Sequence, residues 1–92
     1  MSSRVDAVDA YMNSLCWAIN EGQMPVAEIS KCKFFTTQQC EYVASEAMQI
    51  LGGAGYLRGN PVERIYREVK VMAIGGGSEE IMRDLAARQM GL

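Results

Sequence analysis

An all-α chain of four antiparallel helices is predicted from three observations. Apolar residues recur three and four positions apart over long stretches, no stretch alternates with period two, and helix-start and helix-stop residues stand between the periodic segments. The expected helices cover residues 3–21, 25–51, 61–73 and 79–90.

In the first helix, Val5, Val8, Met12, Leu15 and Ile19 form one stripe. Trp17 and Tyr11 lie off it. Gly22 fits the stop position just past the last periodic residue. The second helix begins at Pro25, whose missing N–H costs nothing in a first turn. Ile29, Cys32, Thr36, Cys40, Val43, Ala47 and Ile50 carry its stripe until Gly52-Gly53 ends it. At 1.5 Å per residue this helix is roughly 39 Å long, which suits a long bundle.

Residues 52–60 contain four glycines and read as a loop. Asn60-Pro61-Val62-Glu63 then starts the third helix. Asn60 caps, Pro61 takes the first helical position, and Glu63 is placed to reach back as in a capping box. Val62, Ile65, Val69 and Met72 form its buried stripe, flanked by Tyr66. After Gly75-Gly76-Gly77, Ser78 caps the fourth helix and Glu79 and Glu80 complement the positive end of its dipole. Ile81, Leu85 and Ala86 are expected to face inward, with Met82 beside them. There is no repeat, low-complexity tract or second domain, so residues 1–92 are one unit.

Composition narrows the function. Apolar residues make up 49% and charged residues 22%, an ordinary globular balance. A net charge of -2 gives no electrostatic case for nucleic acid or an anionic membrane, and no apolar run reaches bilayer length. Histidine is absent, which excludes Ser-His-Asp and Cys-His catalysis and leaves only carboxylates or thiolates for a metal; none is expected. Cys16, Cys32 and Cys40 have no C-x-x-C spacing. With no signal-peptide layout at the start, they read as reduced thiols of a cytoplasmic protein, filling helix faces.

The glycine segments are the candidate sites. Gly53-Ala54-Gly55 fails the G-x-G-x-x-G pattern at its last position, and no P-loop is present. The Gly75–Gly77 loop feeds a helix N-terminus, where free N–H groups favour a polar or anionic ligand group. From the residues alone, a merely tight interhelix turn is the favoured reading of the same glycines, with a ligand role second.

Three ordered blocks within 33 residues then carry a resemblance. Gln49-Ile50-Leu51-Gly52-Gly53-Ala54-Gly55-Tyr56, Pro61-Val62-Glu63-Arg64-Ile65-Tyr66-Arg67-Glu68 and Ile74-Gly75-Gly76-Gly77-Ser78-Glu79-Glu80-Ile81 resemble the C-terminal end of the acyl-CoA dehydrogenases. Residues 1–21 are the least distinctive part.

The resemblance implies the last part of a C-terminal four-helix bundle, starting within the bundle's second helix, with a first bundle helix, a β domain and an N-terminal helical domain outside this sequence. It implies FAD as cofactor. Gln49, Gly52 and Gly53 would approach the adenine-dinucleotide end of an FAD held mainly by a neighbouring subunit, and Ser78, Glu79 and Glu80 would also contact FAD. Gly76 and Gly77 would line the acyl thioester pocket by backbone alone.

Many family members carry a catalytic glutamate at the position of Gly76, which removes the substrate α-proton while hydride leaves the β-carbon for the flavin. Glycine cannot act as a base. Members that lack it there supply it from the first bundle helix, which this chain does not contain. A catalytic residue is therefore expected to be missing. The implied function is a fragment of an FAD-dependent acyl-CoA dehydrogenase, inactive alone. The alternative is a stand-alone helical oligomerisation or interaction module. In either case the long apolar stripes, seven methionines and Trp17 predict burial against another chain, most simply as a homodimer.

Overall fold

The computed structural model describes all 92 residues and contains helices only. They are α1 (Ser2–Asn20), α2 (Val26–Leu51), a single turn α3 (Gly53–Tyr56), α4 (Pro61–Ile74) and α5 (Glu79–Gln89). The four long helices stand where periodicity places them, within about two residues. The second starts at Val26, with Pro25 as its cap.

α2 is the hub: α1, α4 and α5 each pack against it. All three run in the opposite direction to α2. On α1, Arg4 lies over the Tyr42 ring and Tyr11 meets Glu28. On α4, Lys70 pairs with Glu41 at 2.9 Å, and the carbonyl of Met72 meets Lys33. On α5, Glu79 meets Gln38 and Arg83 lies over the Phe34 ring.

Residues 52–60 are not wholly a loop. Gly52 turns the chain at φ 60° and ψ -140°, and α3 folds back as one turn against the end of α2. Gly55 is buried there. A Cβ on it would stand 2.9 Å from Leu51 Cβ and 3.0 Å from the Met48 carbonyl oxygen, so glycine permits this approach. Asn60 ties the turn down, donating from Nδ2 to the Ala54 carbonyl at 3.1 Å. It also caps α4, accepting from the Val62 N–H at 3.0 Å. The expected reach-back of Glu63 does not occur. The Asn60 N–H already donates to the Leu57 carbonyl, and Glu63 pairs instead with Arg67 at 3.3 Å.

The core is thin. Eight residues are buried, and the apolar ones are small or medium: Cys32, Ala44, Val69, Ala73 and Ala86. The buried hydroxyls of Ser30 and Thr37 donate to the carbonyls one turn back, Val26 and Lys33, both at 2.9 Å.

The apolar stripes are real but not closed over. Val5, Val8, Met12, Leu15 and Ile19 of α1 face Val62, Ile65, Val69 and Met72 of α4 across a furrow floored by α2. All of the α2 stripe except Ile50 contributes to that floor. Of the α4 stripe expected to be buried, Val69 is buried and Val62 half-buried, but Met72 is 57% exposed and Ile65 44% along the open trough. Ile81, expected inward, is also exposed, while Met82 and Leu85 are half-buried around buried Ala86.

The shape reflects this. The molecule measures 46 × 23 × 18 Å with a radius of gyration of 15.4 Å. A compact domain of this length has about 12 Å. Its accessible surface is 6308 Å², against about 5,300 Å² for a folded monomer of this mass.

Candidate functional site

The candidate residues fall into two clusters on α2 and its flanks. The first is the end of α2. Gln49, Gly52 and Gly53 are exposed there. A Cβ at Gly52 or Gly53 would meet nothing within 4 Å, although the positive φ of Gly52 favours glycine. Internal packing does not explain the bare backbone of Gly53. It leaves room for a group from outside the chain to approach, with the Gln49 amide beside it to offer a donor and an acceptor.

The second cluster is the Gly75–Gly77 loop and the start of α5. Gly76 and Gly77 take φ of 67° and 97°, a region that side chains enter at a cost. A Cβ on Gly77 would also strike the end of the Met82 side chain, with Sδ at 3.3 Å. Ser78 caps α5 as expected, its Oγ accepting from the Ile81 N–H at 3.3 Å. The N–H groups of Gly76, Gly77 and Ser78 donate to no backbone carbonyl of the chain.

The acidic residues here separate. Glu79 turns back onto α2, where Oε2 accepts from Gln38 Nε2 at 3.1 Å and lies 3.7 Å from the Arg83 guanidinium. Its Oε2 is thus committed to structure, while its Oε1 is buried with no hydrogen-bond partner. Glu80 is exposed. No side chain stands at Gly76, so no carboxylate occupies the loop itself.

Sequence reasoning missed the lysine that holds this loop. Lys33 Nζ donates to the carbonyls of Met72, Gly75 and Gly77 at 2.7, 3.2 and 2.6 Å. No local signal marks it, because its partners lie about 40 residues further along the chain. Gln38 was missed for the same reason.

The two clusters are far apart. Lys33 and Gln49 are sixteen residues apart on one straight helix, roughly 24 Å at 1.5 Å per residue. One chain does not bring Gln49 and the glycine loop onto one small ligand group.

Elsewhere, three titrations are perturbed, all outside these clusters. Burial, followed by the hydrogen bond to Glu28, pushes the Tyr11 hydroxyl up to about 12. The Lys31 ammonium holds Glu28 below the usual carboxylate range, and the hydrogen bond to Glu41 holds Lys70 above its ordinary value. No three His, Cys, Asp or Glu side chains converge as a metal site would need. No helix is long and apolar enough to cross a membrane.

Comparison with known proteins agrees with the three blocks. A probable acyl-CoA dehydrogenase of Bacillus subtilis, YngJ, is 31% identical over 98% of this chain and 24% of its own length. Acryloyl-CoA reductase (NADH) of Anaerotignum propionicum is 30% identical over 98% of this chain and 23% of its own. The crystal structure of a probable acyl-CoA dehydrogenase from Mycobacterium abscessus superposes with a TM-score of 0.94 at 38% identity, covering 99% of this chain and 24% of that one. The chain thus spans about a quarter of the length of the relatives it matches. The family profile described as "Acyl-CoA dehydrogenase, C-terminal domain" matches residues 1–91, so nearly every residue described above lies inside that domain, and the chain belongs to the acyl-CoA dehydrogenase family.

Proposed function

We propose that this chain is the C-terminal helical portion of an FAD-dependent acyl-CoA dehydrogenase and performs no dehydrogenation by itself. The observation that carries the second half is Gly76. It stands where the family resemblance places a proton-removing glutamate, and the nearest loop carboxylate, Glu79, is held by Gln38 and Arg83. A base must be within hydrogen-bond reach of the proton it takes.

The residues present fit a flavin dinucleotide at both clusters. Bound FAD would supply the hydride acceptor. This chain would supply the Gln49 amide and the open backbone of Gly52 and Gly53 to its dinucleotide end. Near the reacting acyl group it would supply backbone donors of Gly76, Gly77 and Ser78, with Glu79 and Glu80 flanking. The separation of roughly 24 Å favours contact with two cofactors in an assembly, each cluster serving a different one. The substrate class is an acyl-CoA thioester. The free thiols of Cys16, Cys32 and Cys40 suit the reducing cytoplasm as its setting.

The open furrow favours a second element of the reading, a homodimer. The surface in excess of a compact monomer is roughly 1,000 Å², and a stable interface removes about 800 Å² from each partner. Two copies related by a twofold axis would cover one another's stripes and rebuild four long helices. The dimer also serves the alternative reading, a helical interaction module without flavin.

Turnover decides the enzymatic part. With added FAD, an artificial electron acceptor and a range of acyl-CoA thioesters, the purified chain should give no rate above the free-flavin blank. Gly76→Glu should give none either, because no β domain holds flavin in register. Turnover above that blank would overturn the proposal. Co-purifying flavin absorbance would favour the flavoprotein over the interaction module.

A further inference from the structure

We infer that Lys33 is the positioning residue of the Gly75–Gly77 loop, fixing its backbone through one ammonium group shared among three carbonyls. An ammonium has three donors and no acceptor. Here all three are used, on Met72, Gly75 and Gly77, at 2.7, 3.2 and 2.6 Å. No backbone N–H donates to any of the three loop-facing oxygens, so Lys33 is their partner within the chain. None of the six ion pairs includes Lys33. Its charge is met by carbonyl dipoles at the negative end of α4.

Three consecutive glycines have no side chains with which to anchor themselves and the widest backbone freedom of any residues. Charge-assisted hydrogen bonds are the strong ones, and α2 carries Lys33 on a rigid 26-residue helix. The loop is therefore set by a residue about 40 positions away in sequence rather than by its own glycines. The polarity of the loop follows. Its acceptors turn to Lys33, and the N–H groups of Gly76, Gly77 and Ser78 are left without a backbone partner. The inference rests on the proposed function only for what those donors would serve, a polar atom of an acyl thioester or cofactor. The loop's order is independent of that.

Nuclear magnetic resonance on the isotopically labelled 92-residue chain tests it. In the unaltered chain, the Lys33 ammonium protons should exchange slowly enough to be seen and should couple through hydrogen bonds to the carbonyl carbons of Gly75 and Gly77. A Lys33 ammonium as labile as that of Lys31 would overturn the inference, with no variant needed. In Lys33→Met, the order parameters of Gly76 and Gly77 should fall from about 0.85 to below about 0.6, with those of α1 unchanged. Loop order equal to that of the unaltered chain would also overturn it. If Lys33→Met fails to fold, the ammonium measurement alone decides. Loss of turnover or flavin binding bears on the enzymatic reading and is read separately.

Discussion

The two sides of α2 are finished differently. On the side of α5 and the glycine loop, α5 lies close along α2 around buried Ala86, and directional polar contacts fix it: Lys33 to three carbonyls, Gln38 to Glu79, and Arg83 over Phe34. On the side of α1 and the α4 stripe, the surface is almost wholly aliphatic and stays open. The polar side is held from within the chain, although the Gly76, Gly77 and Ser78 N–H groups have no backbone partner. The aliphatic side stays open, and leaving such a trough wet forgoes roughly 1.5–3 kcal/mol for each large side chain that could be fully buried. An element can be folded and precisely held on one face while the other is still unfinished.

The strongest way to break this contrast is to charge the aliphatic side. Leu15→Asp or Val43→Asp should dissociate or unfold the dimer, at a cost of at least about 2 kcal/mol, because each buries an unpaired carboxylate. Light scattering coupled to size exclusion over a hundredfold dilution would show it. If the furrow were ordinary wet surface, the same changes would fall within about 0.5 kcal/mol, and the parent would run as a single species of monomer mass throughout.

On the polar side the expected effects are smaller. Gly77→Ala should cost about 1–3 kcal/mol in urea unfolding, since φ of 97° strains a side chain and Met82 must move. Gly53→Ala, with nothing within 4 Å of the added Cβ, is its control and should change stability by under about 0.5 kcal/mol. Ser78→Ala removes the bond to the Ile81 N–H and should cost about 1 kcal/mol, and Ser78→Gly only a few tenths.

The smallest effect lies in the seam between α1 and α2. The fold favours the neutral hydroxyl of Tyr11, so the unfolded chain ionises first. Stability should hold below the ordinary tyrosine value of 10.0 and decline as pH rises towards about 12. The raised Lys70 ammonium adds a loss in the same direction as pH climbs. Glu28, held low, contributes instead above its ordinary range and loses that contribution on acidification. Tyr11→Phe should reduce the alkaline decline in urea midpoint and, because the Tyr11 hydroxyl also helps to hold Glu28 low, weaken the acidic one slightly.

The open side was the more legible in sequence. Spacing alone puts Val5, Val8, Met12, Leu15 and Ile19 on one line, and that line borders the furrow. Periodicity shows which residues share a face but not whether a neighbour arrives to cover it, which is why Ile65 and Met72 looked as buried as Val69 and are not. The polar side was nearly illegible. Nothing local marks Lys33 as the partner of a loop about 40 residues on, because a lysine on a long helix reads the same whether it meets water or three carbonyls. Caps at Asn60 and Ser78 were readable since their partners lie two and three residues away. Glu63 misled because its competing partner, Arg67, is equally local. Of the candidate site, the three blocks gave the residues. Their separation along α2 required the fold.

The hub arrangement also governs how perturbations combine. α1 meets α2, α5 meets α2, and these outer helices share little contact with one another. Effects of substitutions on α1 and α5 should therefore sum to within about 0.3–0.5 kcal/mol, while any nonadditive pair must include α2 or a residue touching it. A double-mutant cycle between an α1 site and an α5 site thus measures how rigidly α2 transmits strain between its two faces. In an assembly that docks on α1, docking would be felt at the glycine loop through α2 and its Lys33.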